Sequence, residues 1–171
     1  MAKRVAQEHP DVTWWCPQLP PSPRDAMDRL MQGIAHWPRA STAVVGSSLG
    51  GFYATWLAEQ LGCKALLLNP AVDPVRDLAG YVGEHAAWHD PRERFFFEPG
   101  FVDELRLLQC HGLTRPQNYY VVIAKGDEVL DWREMLARYP GAAIRLLEGS
   151  DHALSDFDAH IDAVLDFLEL C

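Results

Sequence analysis

The stretch "TAVVGSSLGGFYATWLAEQLGCKALLLN", residues 42–69, constrains the fold more than any other part of the chain. Apolar, β-branched residues run into a serine set between glycines. A helical stretch follows, "GFYATWLAEQL", which Gly62 is placed to end as a C′ residue. "KALLLN" is then a second short run with no polar alternation. Such runs suit strands covered on both faces, and two strands joined by a helix pair in parallel.

The rest of the chain repeats this alternation. "YYVVIAK" and "AAIRLLEG" are further strand candidates, separated by "DWREMLARY", a helix whose start carries a capping box of Asp131 and Glu134. "SDFDAHIDAVLDFLEL" closes the chain as an amphipathic helix with Ser155 as its N-cap. Upstream, "VTWWC" (residues 12–16) reads as one more strand, which makes Trp14 and Trp15 core candidates on opposite faces. Proline-rich "PQLPPSP" must be a loop, and residues 24–37 carry Ala26, Leu30, Ile34 and Trp37 at helical spacing. The expectation is an α/β fold: three layers, a mostly parallel sheet of about five strands, helices on both faces. No linker or repeat divides the 171 residues, so residues 1–171 are expected to form a single domain. Residues 71–117, with helical patches near 74–84 and 101–109, are expected to be a lid-like excursion within it.

Composition narrows the function classes. The net charge of −9, from 24 acidic against 15 basic side chains with no basic stripe, argues against a nucleic-acid partner. No run approaches the roughly 18 apolar residues of a membrane span, and the N-terminus has no signal-like apolar core. Cys16, Cys63, Cys110 and Cys171 lie too far apart for a zinc motif and read as reduced thiols of a cytoplasmic protein.

Gly46-Ser47-Ser48-Leu49-Gly50 matches G-x-S-x-G. A chain this long meets that pattern by chance about one time in twenty, so its context matters. Here it stands between a strand and a helix, the turn in which the third residue is held at the carboxyl edge of a sheet, beside the free N–H groups of a helix start. Ser48 is therefore the candidate nucleophile, and the Leu49 amide a candidate oxyanion donor. A serine hydroxyl needs a base to take its proton and a carboxylate to orient that base. "KGDEVLD" and "EGSDHALSDF" follow two later strands, and so bring an acid and a histidine to the same sheet edge as Ser48. Asp127 follows its strand directly, whereas Asp131 has a cap to make. His152 alone among the histidines lies in such a loop. Ser48, Asp127 and His152 are the expected catalytic residues, with no metal.

"VGSSLGGFYATWLAEQLGCKALLLNPAVDP", "GDEVLDWRE", "EGSDHALSDFDAHIDAVLDFL" and "HPDVTWWCPQLPPSPRDA" together resemble the small bacterial YqiA/YcfP-like esterases of the α/β-hydrolase superfamily over nearly the whole chain. The resemblance implies a serine esterase or thioesterase acting on small carboxylic esters or acyl thioesters such as acyl-CoA, with no cofactor. It carries the family's nucleophile, acid and base to Ser48, Asp127 and His152. One departure stands out. Family members begin with a further apolar strand and a His-Gly-Phe-type loop, whose strand lies between the counterparts of residues 12–16 and 41–46 and whose loop supplies the second oxyanion amide. The expectation is that the cellular protein starts upstream of Met1. The competing account is a short form, catalytically weak or a non-catalytic binding protein.

Other features have plainer readings. "GSSLGG" lacks the Lys-Ser/Thr of a P-loop. His85 and His89, four apart, read as surface or lid histidines rather than metal ligands, since no H-E-x-x-H accompanies them. Trp88, Phe95, Phe96, Phe97 and Phe101 either line an acyl pocket or pack the excursion onto the sheet.

Overall fold

The computed structural model describes residues 1–86, 92 and 94–170. Its centre is a parallel sheet of β1 (Ala43–Ser47), β2 (Lys64–Leu68), β5 (Tyr119–Ala124) and β6 (Ala143–Leu147), in the order β1-β2-β5-β6. Between β2 and β5 the chain forms an antiparallel hairpin of β3 (Gly83–Ala86) and β4 (Arg94–Phe97). Seven α-helices lie among the described residues: α1 (Ala2–Glu8), α2 (Pro23–Gly33), α3 (Leu49–Leu61), α4 (Pro74–Leu78), α5 (Pro99–Leu107), α6 (Trp132–Arg138) and α7 (Ile161–Phe167).

Period-two alternation divides the sheet between two cores. Ala65, Leu67, Val121 and Ile123 face Ala54 and Ala58 of α3 and Met135 of α6. Their neighbours Leu66, Val122 and Ala124 face Leu154 in the loop after β6 and Val164 of α7. Residues 65–67 and 121–124 are wholly buried, which is why both strands read as unbroken apolar runs. A third cluster joins Ala26 and Met27 of α2, Phe52, Tyr53 and Leu57 of α3, and Leu105 of α5.

Helix boundaries follow local chemistry. Ser22 caps α2 by accepting from the Asp25 N–H at 3.1 Å, with Pro23 at the first helical position. Gly62 ends α3 in the left-handed region, φ 69°, its N–H on the Ala58 carbonyl, as expected. Asp131 caps α6, but the box stays half-made: Glu134 turns instead to a bidentate pair with Arg76. The closing helix starts later than its sequence pattern. Residues 157–159 form a 3₁₀ turn and α7 begins at Ile161, because Ser155 is not a cap; its N–H and hydroxyl both donate to Asp151.

Residues 12–16 are not a strand, so the sheet has four strands where about five were expected. A strand exists only through its partner, and no described residue pairs with this segment. Trp14 and Trp15 are 38% and 39% exposed instead of buried, and Trp15 packs across the helix end against Trp37, ring centroids 6.2 Å apart. β1 is consequently an edge strand among the described residues. The Ser48 N–H bonds the Leu68 carbonyl, so residues 44, 46 and 48 face β2 while the backbone of Val45 and Ser47 faces outward.

The excursion is docked by polar as well as apolar contacts. Phe97 is buried and meets Phe101 edge-on at 5.4 Å, so it packs as core, whereas Phe96 is exposed. His85 lies on β3 rather than on a helix and stacks on Tyr81 at 5.0 Å, so the helical spacing with His89 does not apply. His89 and Trp88 lie outside the described residues. Glu104 of α5 clamps the start of α2: it accepts from the Ser22 hydroxyl at 2.7 Å, the Arg24 N–H at 3.1 Å and the Arg24 guanidinium at 2.7 Å. Burial alone would lift the Glu104 carboxyl, but these donors outweigh it and hold it below the ordinary glutamate range. Such a group stabilises the fold fully above that range and loses its contribution as pH falls through the lowered value. Glu104→Gln is expected to cost about 1–2 kcal/mol at neutral pH. Urea unfolding across pH checks this: the gap from the parent must narrow in acid, and a gap that widens there contradicts it.

Candidate active site

Three loops meet where the parallel strands end. The first is the turn from β1 into α3. Ser48 stands at φ 54°, ψ −124°, a conformation that costs a non-glycine residue about 1–3 kcal/mol. Backbone bonds hold it there. Its N–H donates to the Leu68 carbonyl at 3.0 Å, and its carbonyl accepts from Gly51 and Ala71, each at 2.9 Å. Leu49 begins α3, so its N–H has no acceptor within the helix and lies one residue from the Ser48 hydroxyl.

The two motif glycines have different jobs. A side chain at Gly46 would put Cβ 2.0 Å from the Gly50 carbonyl oxygen, so β1 and the first turn of α3 can touch only if residue 46 has none. At Gly50 a Cβ would meet nothing within 4 Å. The tight neighbour lies outside the motif: Gly51, against Pro70 at 2.6 Å.

The second loop follows β5. Asp127 is closed off from solvent, and its two carboxylate oxygens are divided between two tasks. Oδ1 accepts from the Val129 and Leu130 N–H groups, both at 2.8 Å, an Asx-type turn that sets the loop. Oδ2 accepts from His152 Nδ1 at 2.8 Å. The third loop follows β6, and in it Ser150 and Leu154 on either side of His152 have positive φ, 64° and 52°. Ser150 bonds Asp156, Asp151 bonds Ser155, and the His152 N–H donates to Glu128 at 3.0 Å. The imidazole is mostly buried, and its Nε2 lies 3.1 Å from Ser48 Oγ.

Ser48, His152 and Asp127 thus form one hydrogen-bonded chain. With Nδ1–H donated to the carboxylate, the imidazole carries its lone pair on Nε2, facing the serine hydroxyl. That arrangement can accept a proton from Ser48 and hold the resulting imidazolium against a buried carboxylate. Ser47 is exposed at the end of β1, off this line.

Sequence reasoning passed over Asn69. It is completely buried, at φ 39°, between β2 and Pro70. Its Oδ1 accepts from the Ala124 N–H at 2.8 Å, and its Nδ2 donates to the carbonyls of Asp151 at 3.0 Å and His152 at 3.1 Å. The signal lay in "LLLNP": a polar residue closing a strand that is otherwise apolar throughout has to be fully hydrogen-bonded.

The glycine asymmetry gives a direct check. Gly46→Ala is expected to destabilise severely, by about 3 kcal/mol or more, because the contact it strikes is backbone on both sides. Gly50→Ala is expected to be neutral or to stabilise by up to about 1 kcal/mol through helix propensity. Thermal melts of the two variants decide the matter, and equal losses would refute the asymmetry.

The fold is that of α/β hydrolases of known structure. Mouse alpha/beta hydrolase domain-containing protein 10 superposes with a TM-score of 0.62 at 17% identity, over 86% of this chain and 70% of that one. Est1E from Butyrivibrio proteoclasticus gives 0.60 at 14% identity, over 86% and 69%. An alpha/beta superfamily hydrolase from Oenococcus oeni PSU-1 gives 0.55 at 17%, over 90% and 77%. Likeness at such identities is a likeness of fold. Residues 1–169 match the family model of the uncharacterised protein family UPF0227, the YqiA/YcfP-type family that the sequence resembles, and the chain belongs to that family.

Proposed function

We propose that this protein is a serine hydrolase that cleaves carboxylic esters or acyl thioesters, acyl-CoA among them, through an acyl-serine intermediate. The observation that carries the reading is the chain from Ser48 Oγ to His152 Nε2, 3.1 Å, and from His152 Nδ1 to Asp127 Oδ2, 2.8 Å, at the carboxyl edge of the sheet. The esterases and hydrolases that share the fold lend it support.

In the first half-reaction His152 Nε2 takes the hydroxyl proton while Ser48 Oγ bonds the acyl carbon. The carbonyl electrons move onto its oxygen, where the Leu49 N–H is the assigned donor; one such donor is worth about 10²–10³ in rate. As the carbonyl re-forms, the bond to the alkoxy oxygen or thiol sulfur breaks and His152 returns its proton to the leaving group. Water then repeats the sequence. His152 takes a proton from it, the hydroxide adds to the acyl carbon, and Ser48 Oγ leaves with the proton as the acid departs. Asp127 keeps Nδ1 protonated and stabilises the imidazolium throughout.

We place the enzyme in the cytoplasm. Cys16, Cys63 and Cys110 are unpaired thiols, the state that a reducing compartment maintains.

Purified protein is expected to hydrolyse p-nitrophenyl esters or acyl-CoA and to be labelled by a fluorophosphonate at Ser48, as read by mass spectrometry of the labelled peptide. Ser48→Ala should abolish both. Asp127→Asn should lower kcat by about 10⁴ with little change in KM, because the amide selects the wrong tautomer. Ligand binding with neither turnover nor labelling would make this a binding protein and sink the proposal.

A further inference from the structure

The loop bearing His152 is braced within itself by Ser150 with Asp156 and Asp151 with Ser155, and against the loop after β5 by Glu128, which accepts from the His152 N–H, and by the Gly126 N–H on the Gly149 carbonyl. These bonds shape the loop without tying it to the strand that carries Ser48. That tie runs through residues 68–71, the connection leaving β2. Its backbone holds the serine from both sides, since the Leu68 carbonyl accepts from the Ser48 N–H and the Ala71 N–H donates to the Ser48 carbonyl. Between them the Asn69 N–H bonds the Val122 carbonyl on β5. The Asn69 side chain reaches the other two loops: Ala124, three residues before Asp127, through Oδ1, and the Asp151 and His152 carbonyls through Nδ2.

The orientation of the amide follows from its partners. An N–H must meet Oδ1 and two carbonyls must meet Nδ2, so a flipped amide would set like against like at three contacts. The bond to Ala124 is buried and the two to the His152 loop are partly buried, and the Asn69 side chain that makes them is itself completely buried, so losing a partner there is costly. Aspartate at this position keeps the acceptor for Ala124 but has no donors for the two carbonyls. Glycine removes every side-chain bond while accepting the positive φ with ease.

We infer that Asn69 is a positioning residue of the site, holding the His152 loop at the distance from Ser48 that proton transfer requires. The inference deepens the proposed hydrolase reading and rests on it. Asn69 touches no reacting atom. It acts by joining, through one amide, the strand end before the acid and the backbone of the base to the segment that grips the nucleophile. Misplacement of a reacting pair by about 1 Å costs on the order of 10² in rate, which sets the size of the effect.

The experiment compares Asn69→Gly and Asn69→Asp with Val121→Ala, a core truncation that lowers stability at a residue outside the site. Both Asn69 variants are expected to lower kcat on p-nitrophenyl acetate, and the rate of Ser48 labelling by a fluorophosphonate, by about 10- to 100-fold with KM within about threefold. Val121→Ala should keep kcat within about twofold at a temperature where all three are folded. A wild-type kcat and labelling rate in Asn69→Gly would overturn the inference, as would an equal loss in Val121→Ala, which would make the effect one of stability alone. A second readout needs no turnover: the proton of His152 Nδ1 in the NMR spectrum, sharp in the parent and lost to exchange in Asn69→Gly. If the parent is neither active nor labelled, the hydrolase reading fails. An Nδ1 proton unchanged by Asn69→Gly then overturns the positioning role separately.

Discussion

Parallel pairing is the constraint on which the rest of this structure depends. Strands β1, β2, β5 and β6 run the same way, so every connection must cross back over a face and every carboxyl end must emerge on one side. Three residues separated by as many as 104 positions come within hydrogen-bonding distance because each follows the end of a strand by a few residues. The crossing helices α3 and α6, together with α7 after the last strand, also bury both faces of the sheet, and that burial gives the edge the rigidity to hold a serine in an unfavourable backbone conformation.

Much of this could be read from the chain because two of its signals are local. Unbroken apolar runs mark strands covered on both sides, and β2 and β5 are wholly buried along most of their length. The elbow at Ser48 is legible because steric crowding between β1 and α3 leaves glycine as the one choice at residue 46. Asp127 and His152 are legible as strand-end residues in the order that the pattern requires.

What could not be read was non-local. "VTWWC" has the composition of a strand, but a ladder needs a neighbour, and composition carries no record of one. Ser155 and Glu134 both suit the caps assigned to them, yet Asp151 and Arg76 make better offers. In the same way Asn69, a single polar letter between an apolar run and a proline, says nothing in sequence about the three backbone groups that surround it. The hairpin β3–β4 was hidden among helical patches because its four-residue strands are too short for their period to register.

The two motif glycines look interchangeable on paper, a mirror pair around the serine. In space they are not. At the strand end the absence of a side chain is a packing condition, whereas at the helix start a side chain would meet open space. Inheritance should therefore treat them unequally, with residue 46 frozen as the family diverges and residue 50 free to drift. A search pattern that demands both glycines would then overlook relatives whose elbow is intact.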